Sequence, residues 1–199
     1  EDLDLFVGNF NGEVHYYRNI GDKYTFHFTY VENISDIDLS GYSSPETIDL
    51  DNDDDLDLLI GHMNGTIYYY ENTGDKFNYN FQFVTDNYNN INVSFRSSPE
   101  SYDYNKDNNM DLFIGSGYNN IIYFENIGTE FNPDFNANYL IDIPNLGNNV
   151  SPVIYVSDQI NGMVAGISTG GMYFLPFEDN LAGDVNNDFA VNIFDAILL

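Results

Sequence analysis

The sequence predicts an all-β chain built from repeated four-stranded antiparallel units, and three observations lead there. The segment Asp55-Leu56-Asp57-Leu58-Leu59-Ile60-Gly61 recurs as Asp2-Leu3-Asp4-Leu5-Phe6-Val7-Gly8 and as Asn109-Met110-Asp111-Leu112-Phe113-Ile114-Gly115, at steps of 53 and 54 residues. Within each unit the short-range pattern has a period of two and is rich in β-branched and aromatic residues, the mark of strands and not helices. With 43% hydrophobic residues, among them 17 Tyr and 16 Phe, the chain has enough apolar surface to build cores despite its acidity. Short antiparallel strands repeating at this period, four to a unit, are the pattern of β-propeller blades. About three and a half blades fit into residues 1–177, an incomplete ring, followed by a linker at 178–182 and a different segment at 183–199.

The second unit shows the pieces most clearly. Ser43-Ser44-Pro45-Glu46-Thr47-Ile48 reads as a first strand, residues 56–61 as a second and Thr66-Ile67-Tyr68-Tyr69-Tyr70 as a third. Asn64-Gly65 is a tight-turn signal between the second and third strands, and Phe81-Gln82-Phe83-Val84 supplies the fourth. The third unit repeats them at 97–102, 110–115, 121–126 and around Phe135, while Asn19, Asn72 and Asn126, each followed two residues later by Gly, keep the same step. A worn fourth unit begins at Ser151-Pro152; its loop at 157–162 lacks alternating carboxylates, so no metal is expected there. Tyr16, Tyr69, Tyr123 and Tyr173 align, as do Tyr17, Tyr70, Phe124 and Phe174. One row is expected to pack between blades and the other to be half exposed. Uncovered blade edges at both ends of an arc also predict self-association.

The hairpin between the first two strands of the second unit holds Asp49-Leu50-Asp51-Asn52-Asp53-Asp54-Asp55-Leu56-Asp57. Carboxylates this close repel one another unless a cation takes up the charge. A hard cation such as Ca²⁺ takes six to eight oxygens, and a short loop supplies them from alternate residues. Asp49, Asp51, Asp53 and Asp57 are the candidate side-chain ligands and Asp55 a carbonyl ligand. The third unit keeps the register with Asp103, Asn105, Asp107, Asn109 and Asp111. Solvated acidity alone requires no such register. Asp2 and Asp4 stand where the rear half of a third such loop is expected.

The charge restricts the partners. With 32 Asp and Glu against 5 Lys and Arg, a formal −27, the surface repels nucleic acid and anionic lipid, and divalent cations are its natural partners. There is no Cys for a disulfide or thiolate zinc site, and no apolar run approaches a membrane span. Neither nucleic-acid binding nor membrane insertion is expected. His15, His27 and His62 are scattered at positions that vary between units, the acidic pairs are better read as metal ligands than as glycosidase carboxylates, and no phosphate loop or nucleophile elbow stands out. No catalytic constellation emerges, and any activity is expected in a domain upstream of residue 1.

The acidic loops, each followed by an apolar strand ending in Gly and then Asn-Gly or Asn-Asn before an aromatic strand, resemble the FG-GAP or VCBS repeats of integrin-α-like propellers. That resemblance covers about residues 1–175. It implies an extracellular or cell-surface, secreted protein whose blades are stiffened by calcium, with protein or polysaccharide ligands and a role in adhesion or binding. Asp54 and Asn108 stand where the family's loop has Gly; both residue types tolerate left-handed backbone. A different signal closes the chain. Asp184, Asn186, Asp188, Asn192 and Asp195 occupy positions 1, 3, 5, 9 and 12 of an EF-hand-type loop, with Ala190 at the carbonyl position and an apolar helix expected after it. This resembles the first half of a dockerin, and implies a cohesin partner for the intact module. An alternative reading follows, in which the chain is an accessory region of a secreted polysaccharide-degrading glycoside hydrolase.

Overall fold

In the computed structural model, which describes residues 3–118, 120–142, 148–157 and 161–177, fourteen strands form four antiparallel sheets. The first sheet holds β1 (Leu5–Gly8), β2 (Glu13–Asn19) and β3 (Phe28–Asp38). The second holds β4 (Ser43–Ile48), β5 (Asp57–His62), β6 (Ile67–Asn72) and β7 (Phe81–Thr85). The third holds β8 (Ser98–Tyr102), β9 (Asp111–Gly115), β10 (Asn120–Asn126) and β11 (Phe135–Asp142). The fourth holds β12 (Ser151–Val156), β13 (Asn161–Gly166) and β14 (Met172–Pro176). Each sheet is a meander in sequence order, so the chain is a four-blade propeller arrangement. Among the described residues, the two middle blades show four strands and the first and fourth show three. The helix expected in the segment 183–199, and the linker before it, lie outside the described residues.

Three apolar clusters hold the blades together, one at each junction between successive blades. Val14 and Ile37 of the first blade pack with Leu58 and Ile60 of the second. Leu59 and Ile67 of the second pack with Leu112, Ile114 and Phe124 of the third. Phe113 and Ile121 of the third pack with Met163, Ala165 and Leu175 of the fourth. Alternate residues of one strand thus serve opposite junctions: Leu58 and Ile60 face backward, Leu59 forward. That explains why β5 reads Leu-Leu-Ile without polar interruption.

The repeated glycine at the end of the second strand has a packing cause. A Cβ on Gly8, Gly61 or Gly115 would stand 2.1 Å from the carbonyl oxygen of Ser43, Ser97 or Val150, each at or just before the innermost strand of the next blade. Hydroxyls run between the same inner strands, Ser44 to Ser98 at 3.0 Å and Ser98 to Ser151 at 2.9 Å.

Two expectations about the aromatic rows need correction. Gly115 pairs with Ile121 and Gly166 with Met172, so the fourth-blade counterparts of Tyr123 and Phe124 are Phe174 and Leu175, one residue later than the expected Tyr173 and Phe174. Nor does one row pack while the other stays half exposed. Tyr16 and Tyr123 of one row and Tyr70 and Phe124 of the other are all buried, as is Leu175, because each packs into a junction between two successive blades.

Candidate metal centre

The two acidic loops close the β4–β5 and β8–β9 hairpins, and they are built alike, bond for bond. In the first, Asp49 Oδ1 and Oδ2 accept the backbone N–H groups of Asp53 and Asp54, both at 3.2 Å, and Asp53 Oδ1 accepts that of Asp55 at 3.0 Å. In the second, Asp103 accepts from Asp107 at 3.1 Å and Asn108 at 3.0 Å, and Asp107 Oδ1 accepts from Asn109 at 2.8 Å. Asn105 Oδ1 also accepts the Asp107 N–H, at 3.0 Å. Left-handed backbone falls at matching places, at Asn52 and Asp54 (φ 57° and 71°) and at Lys106 and Asn108 (φ 63° and 71°). These turns fold the alternating side chains towards one centre. Asp54 and Asn108, the residues standing where glycine was expected, do adopt the conformation that glycine favours.

The consequence in the first loop is a convergence of charge: ligand oxygens of Asp49, Asp51 and Asp53 lie within 4.8 Å of one another. Burial, and then the neighbouring carboxylates, hold the Asp51 and Asp55 carboxyls above the usual carboxylate range. Asp55 is buried, and its Oδ1 has no hydrogen-bond partner. An orphaned carboxylate oxygen beside three converging carboxylates fits a hard cation. The second loop keeps the geometry with less charge, since Asn105 and Asn109 replace two carboxylates and Lys106 adds a cation. Both loops border one cleft of about 330 Å³, lined among others by Asp49, Asn52, Asp103 and Asn108.

Asp57 and Asp111 have an additional role that sequence spacing did not reveal. Asp57 Oδ1 accepts the Asn72 N–H at 2.7 Å, while Oδ2 accepts the Tyr69 hydroxyl at 3.2 Å and the Leu50 N–H at 3.3 Å. Asp111 repeats this with Asn126 at 2.8 Å, Tyr123 at 2.8 Å and Tyr104 at 3.1 Å. Asp4 does so with Asn19 at 2.7 Å and Tyr16 at 2.5 Å. Asp57 and Asp111 thus tie the root of their acidic loops to the third strand, and Asp4 makes the same two bonds to β2, the corresponding strand of the first blade. Burial pushes the Asp57 carboxyl up to about 6, against the hydrogen bonds that favour its ionised form, and raises Asp111 in the same way. The signal was in the sequence: a tyrosine 12 and an asparagine 15 residues after the aspartate, in three units running.

Those asparagines are buried and work in turn. Asn72 Oδ1 accepts the N–H groups of Gly74 at 3.1 Å and Asn80 at 2.8 Å, pinning both ends of the loop into the fourth strand. Asn19 and Asn126 repeat the arrangement. Two of the three histidines have side-chain partners: His62 Nε2 lies 2.9 Å from the Leu39 carbonyl, and His15 Nε2 3.4 Å from Glu13. The candidate ligands Asp184, Asn186, Asp188, Ala190, Asn192 and Asp195 lie outside the described residues.

Residues 1–60 match the family model of the FG-GAP-like repeat. This FG-GAP-like segment runs from the first blade through most of β5 and includes the whole of the first acidic loop. No curated protein matches the chain, and no solved structure does. Among the described residues, no helix is long and apolar enough to cross a membrane.

Proposed function

We propose that this chain is an extracellular, calcium-stabilised propeller module with a non-catalytic binding or adhesion role towards a protein or glycan. The reading rests on the first acidic loop, where three carboxylates converge within 4.8 Å and the buried Asp55 Oδ1 has no partner. Asp49, Asp51 and Asp53 would hold the ion through side chains, joined by Asp55 and Asp57. Asp103, Asn105, Asp107, Asn109 and Asp111 would hold a second ion. Calcium would neutralise the loop and lock the hairpin between the first two strands. Extracellular modules of this kind bind at roughly 10⁻⁴ to 10⁻³ M, so the sites would fill outside a cell. The dockerin-like segment at 183–199 is proposed as a third, separate site with an assembly role through cohesin.

The test is calorimetric titration of chelator-stripped protein with calcium, alongside thermal melts. Wild type should take up heat-detectable calcium and melt higher, and Asp51→Ala and Asp107→Ala should each remove one site. No binding at millimolar calcium, with an unchanged melt, would refute the reading.

A further inference from the structure

At the end of the blades opposite the acidic loops, the hairpin turns at 9–12, 62–65 and 116–118 meet the connections at 39–42 and 92–97. Backbone bonds lace them together: the Gly41 N–H donates to the Asn11 carbonyl at 3.2 Å, the Arg96 N–H to Met63 at 3.0 Å and the Gly117 N–H to Phe95 at 2.7 Å. On a chain of formal charge −27 these segments are free of carboxylates, since residues 5–12, 39–45, 58–70, 87–99 and 112–118 contain no Asp or Glu. Glu13 and Asp38, which border them, already accept from the Asn9 amide and the Ser40 N–H. Arg96 is the only Lys or Arg within the same segments. Its guanidinium lies 5.7 Å from the centre of the Phe10 ring, 5.6 Å from that of Tyr42 and 5.3 Å from that of Phe95, all within cation–π range. Its Nε is buried without a hydrogen-bond partner, and among the described residues no carboxylate pairs with it. Ser94 and Arg96 are held in left-handed backbone, φ 72° and 46°, a conformation that costs a bulky residue and that collects at ligand clamps. Phe10 remains 65% exposed, as does 62% of Tyr118, whose ring centre lies 5.7 Å from that of Phe95.

We propose that Arg96 and the rings around it form a recognition site for a carboxylated sugar, a pyranose ring that bears one carboxylate. The planar guanidinium fork matches a carboxylate with two parallel hydrogen bonds. The exposed rings of Phe10 and Tyr118 offer apolar surface to the C–H face of a sugar, and the exposed side-chain amides of Asn11 and Asn64, on neighbouring turns, suit its hydroxyls. A single arginine balances a single negative charge, so a monoanion fits this setting better than a phosphate group, which carries nearly two. An acidic peptide fits it less well, because the turns spend on one another the backbone groups that a bound peptide chain would need. The inference rests on the reading of this chain as a binding module, whose ligand class and site it names, and it does not involve the calcium loops.

The test is an NMR titration of the whole 199-residue chain in millimolar calcium. Methyl β-D-glucuronide is the carboxylated probe, methyl β-D-glucoside its neutral counterpart and N-acetyl-aspartate amide the peptide probe. The glucuronide should bind in the millimolar range and shift the Arg96 Nε–H signal and the ring signals of Phe10 and Tyr118. The glucoside and the aspartate amide should each bind about tenfold more weakly, the first for want of the carboxylate and the second for want of the ring. Arg96→Lys, which keeps the charge and loses the fork, and Phe10→Ala should each weaken glucuronide binding by about fivefold or more. Circular dichroism and the melting midpoint verify folding; should Arg96→Lys not fold, Phe10→Ala and Tyr118→Ala, both at exposed side chains, carry the test. No shift at Arg96 with the glucuronide, equal binding of the glucoside, tighter binding of the aspartate amide, or folded variants that bind like wild type would each overturn the inference. Calcium uptake is read separately by calorimetry, so a chain that takes up calcium and ignores the glucuronide refutes this site alone, and one that binds the glucuronide without calcium refutes the calcium reading alone.

Discussion

Glu100, on the innermost strand of the third blade, accepts a 2.7 Å hydrogen bond from the backbone N–H of Ile154, on the innermost strand of the fourth. Glu46 makes the corresponding reach one blade earlier, to the N–H and hydroxyl of Ser101 at 3.0 and 2.6 Å. The fourth blade has Val153 in this position, so the series of carboxylate clasps ends there. These clasps sit in a low-dielectric wall and beside one another. Burial, and then the charge of Glu46, push the Glu100 carboxyl up to about 7, and burial raises Glu46 too.

A pH dependence follows. Because the folded form holds the Glu100 proton more tightly than the unfolded chain does, this group's contribution is full below its ordinary value of 4.5 and is lost as pH rises towards about 7. Glu100→Gln keeps an acceptor for Ile154 without the buried charge. It should stabilise the protein at neutral pH by about 1–3 kcal/mol and leave it nearly unchanged near pH 4. Chemical denaturation of both proteins across that range measures the difference; equal pH slopes would refute it.

Gly61→Ala should be costly in a way that its neighbours in the repeat also predict. The added methyl would meet the Ser97 carbonyl oxygen at 2.1 Å, so the inner strand of the third blade must move, for about 1–3 kcal/mol or more of overpacking. Gly166→Ala is the internal control: in the last described blade its Cβ meets nothing nearer than the Ser151 oxygen at 3.8 Å. Denaturant midpoints should fall for Gly61→Ala and Gly8→Ala and hold for Gly166→Ala.

The repeat, the strand pairs and the acidic hairpins were legible because each is local: a period of two, a turn dipeptide and a fixed step of the chain. What the sequence could not yield is what two blades do to each other. Gly61 reads as a strand end, and only the approach of Ser97 shows why nothing larger fits there. Glu46 looks like a surface residue of a polar strand, yet its partner Ser101 is 55 residues away. The fourth blade shortens the hairpin before Gly166, pairing Ser151 with Gly166 where the third pairs Ser98 with Gly115, so a row counted from the blade start slips, whereas the step from the glycine to the aromatic is the same in all four blades and leads to Phe174. Asp57 was legible as a candidate ligand, but its bonds to Asn72 and Tyr69 were not.

The two acidic loops should differ in calcium affinity. They share backbone geometry, so the difference lies in charge: Asp51, Asp54 and Asp55 of the first face Asn105, Asn108 and Asn109 of the second, and Lys106 adds repulsion. Affinity rises with the count of charged ligands. The first site should bind tighter by about tenfold, equal to about 1.4 kcal/mol. Asn105→Asp should narrow the gap. Two-site calorimetry with Asp51→Ala and Asp107→Ala assigns the sites, and a tighter site surviving in Asp51→Ala would refute the order.

Asn72 joins the first acidic loop to the far side of its blade. Its backbone N–H holds Asp57, and its side chain holds the loop into β7 through Gly74 and Asn80. Asn72→Ala leaves the first link intact and removes the second, freeing the backbone donors of Gly74 and Asn80, both exposed residues, at about 0.5–1.5 kcal/mol for each lost hydrogen bond. Asn72→Asp still accepts both bonds but places a charge within reach of Asp57, whose carboxyl burial already disfavours ionising. The alanine variant should therefore lose stability to a similar degree with and without calcium, and expose residues 73–80 to limited proteolysis. The aspartate variant should lose more in chelator than in calcium, because a bound cation would offset the added charge. Melts of both variants under the two conditions distinguish these outcomes, and an aspartate variant indifferent to calcium would separate the asparagine hub from the acidic loop.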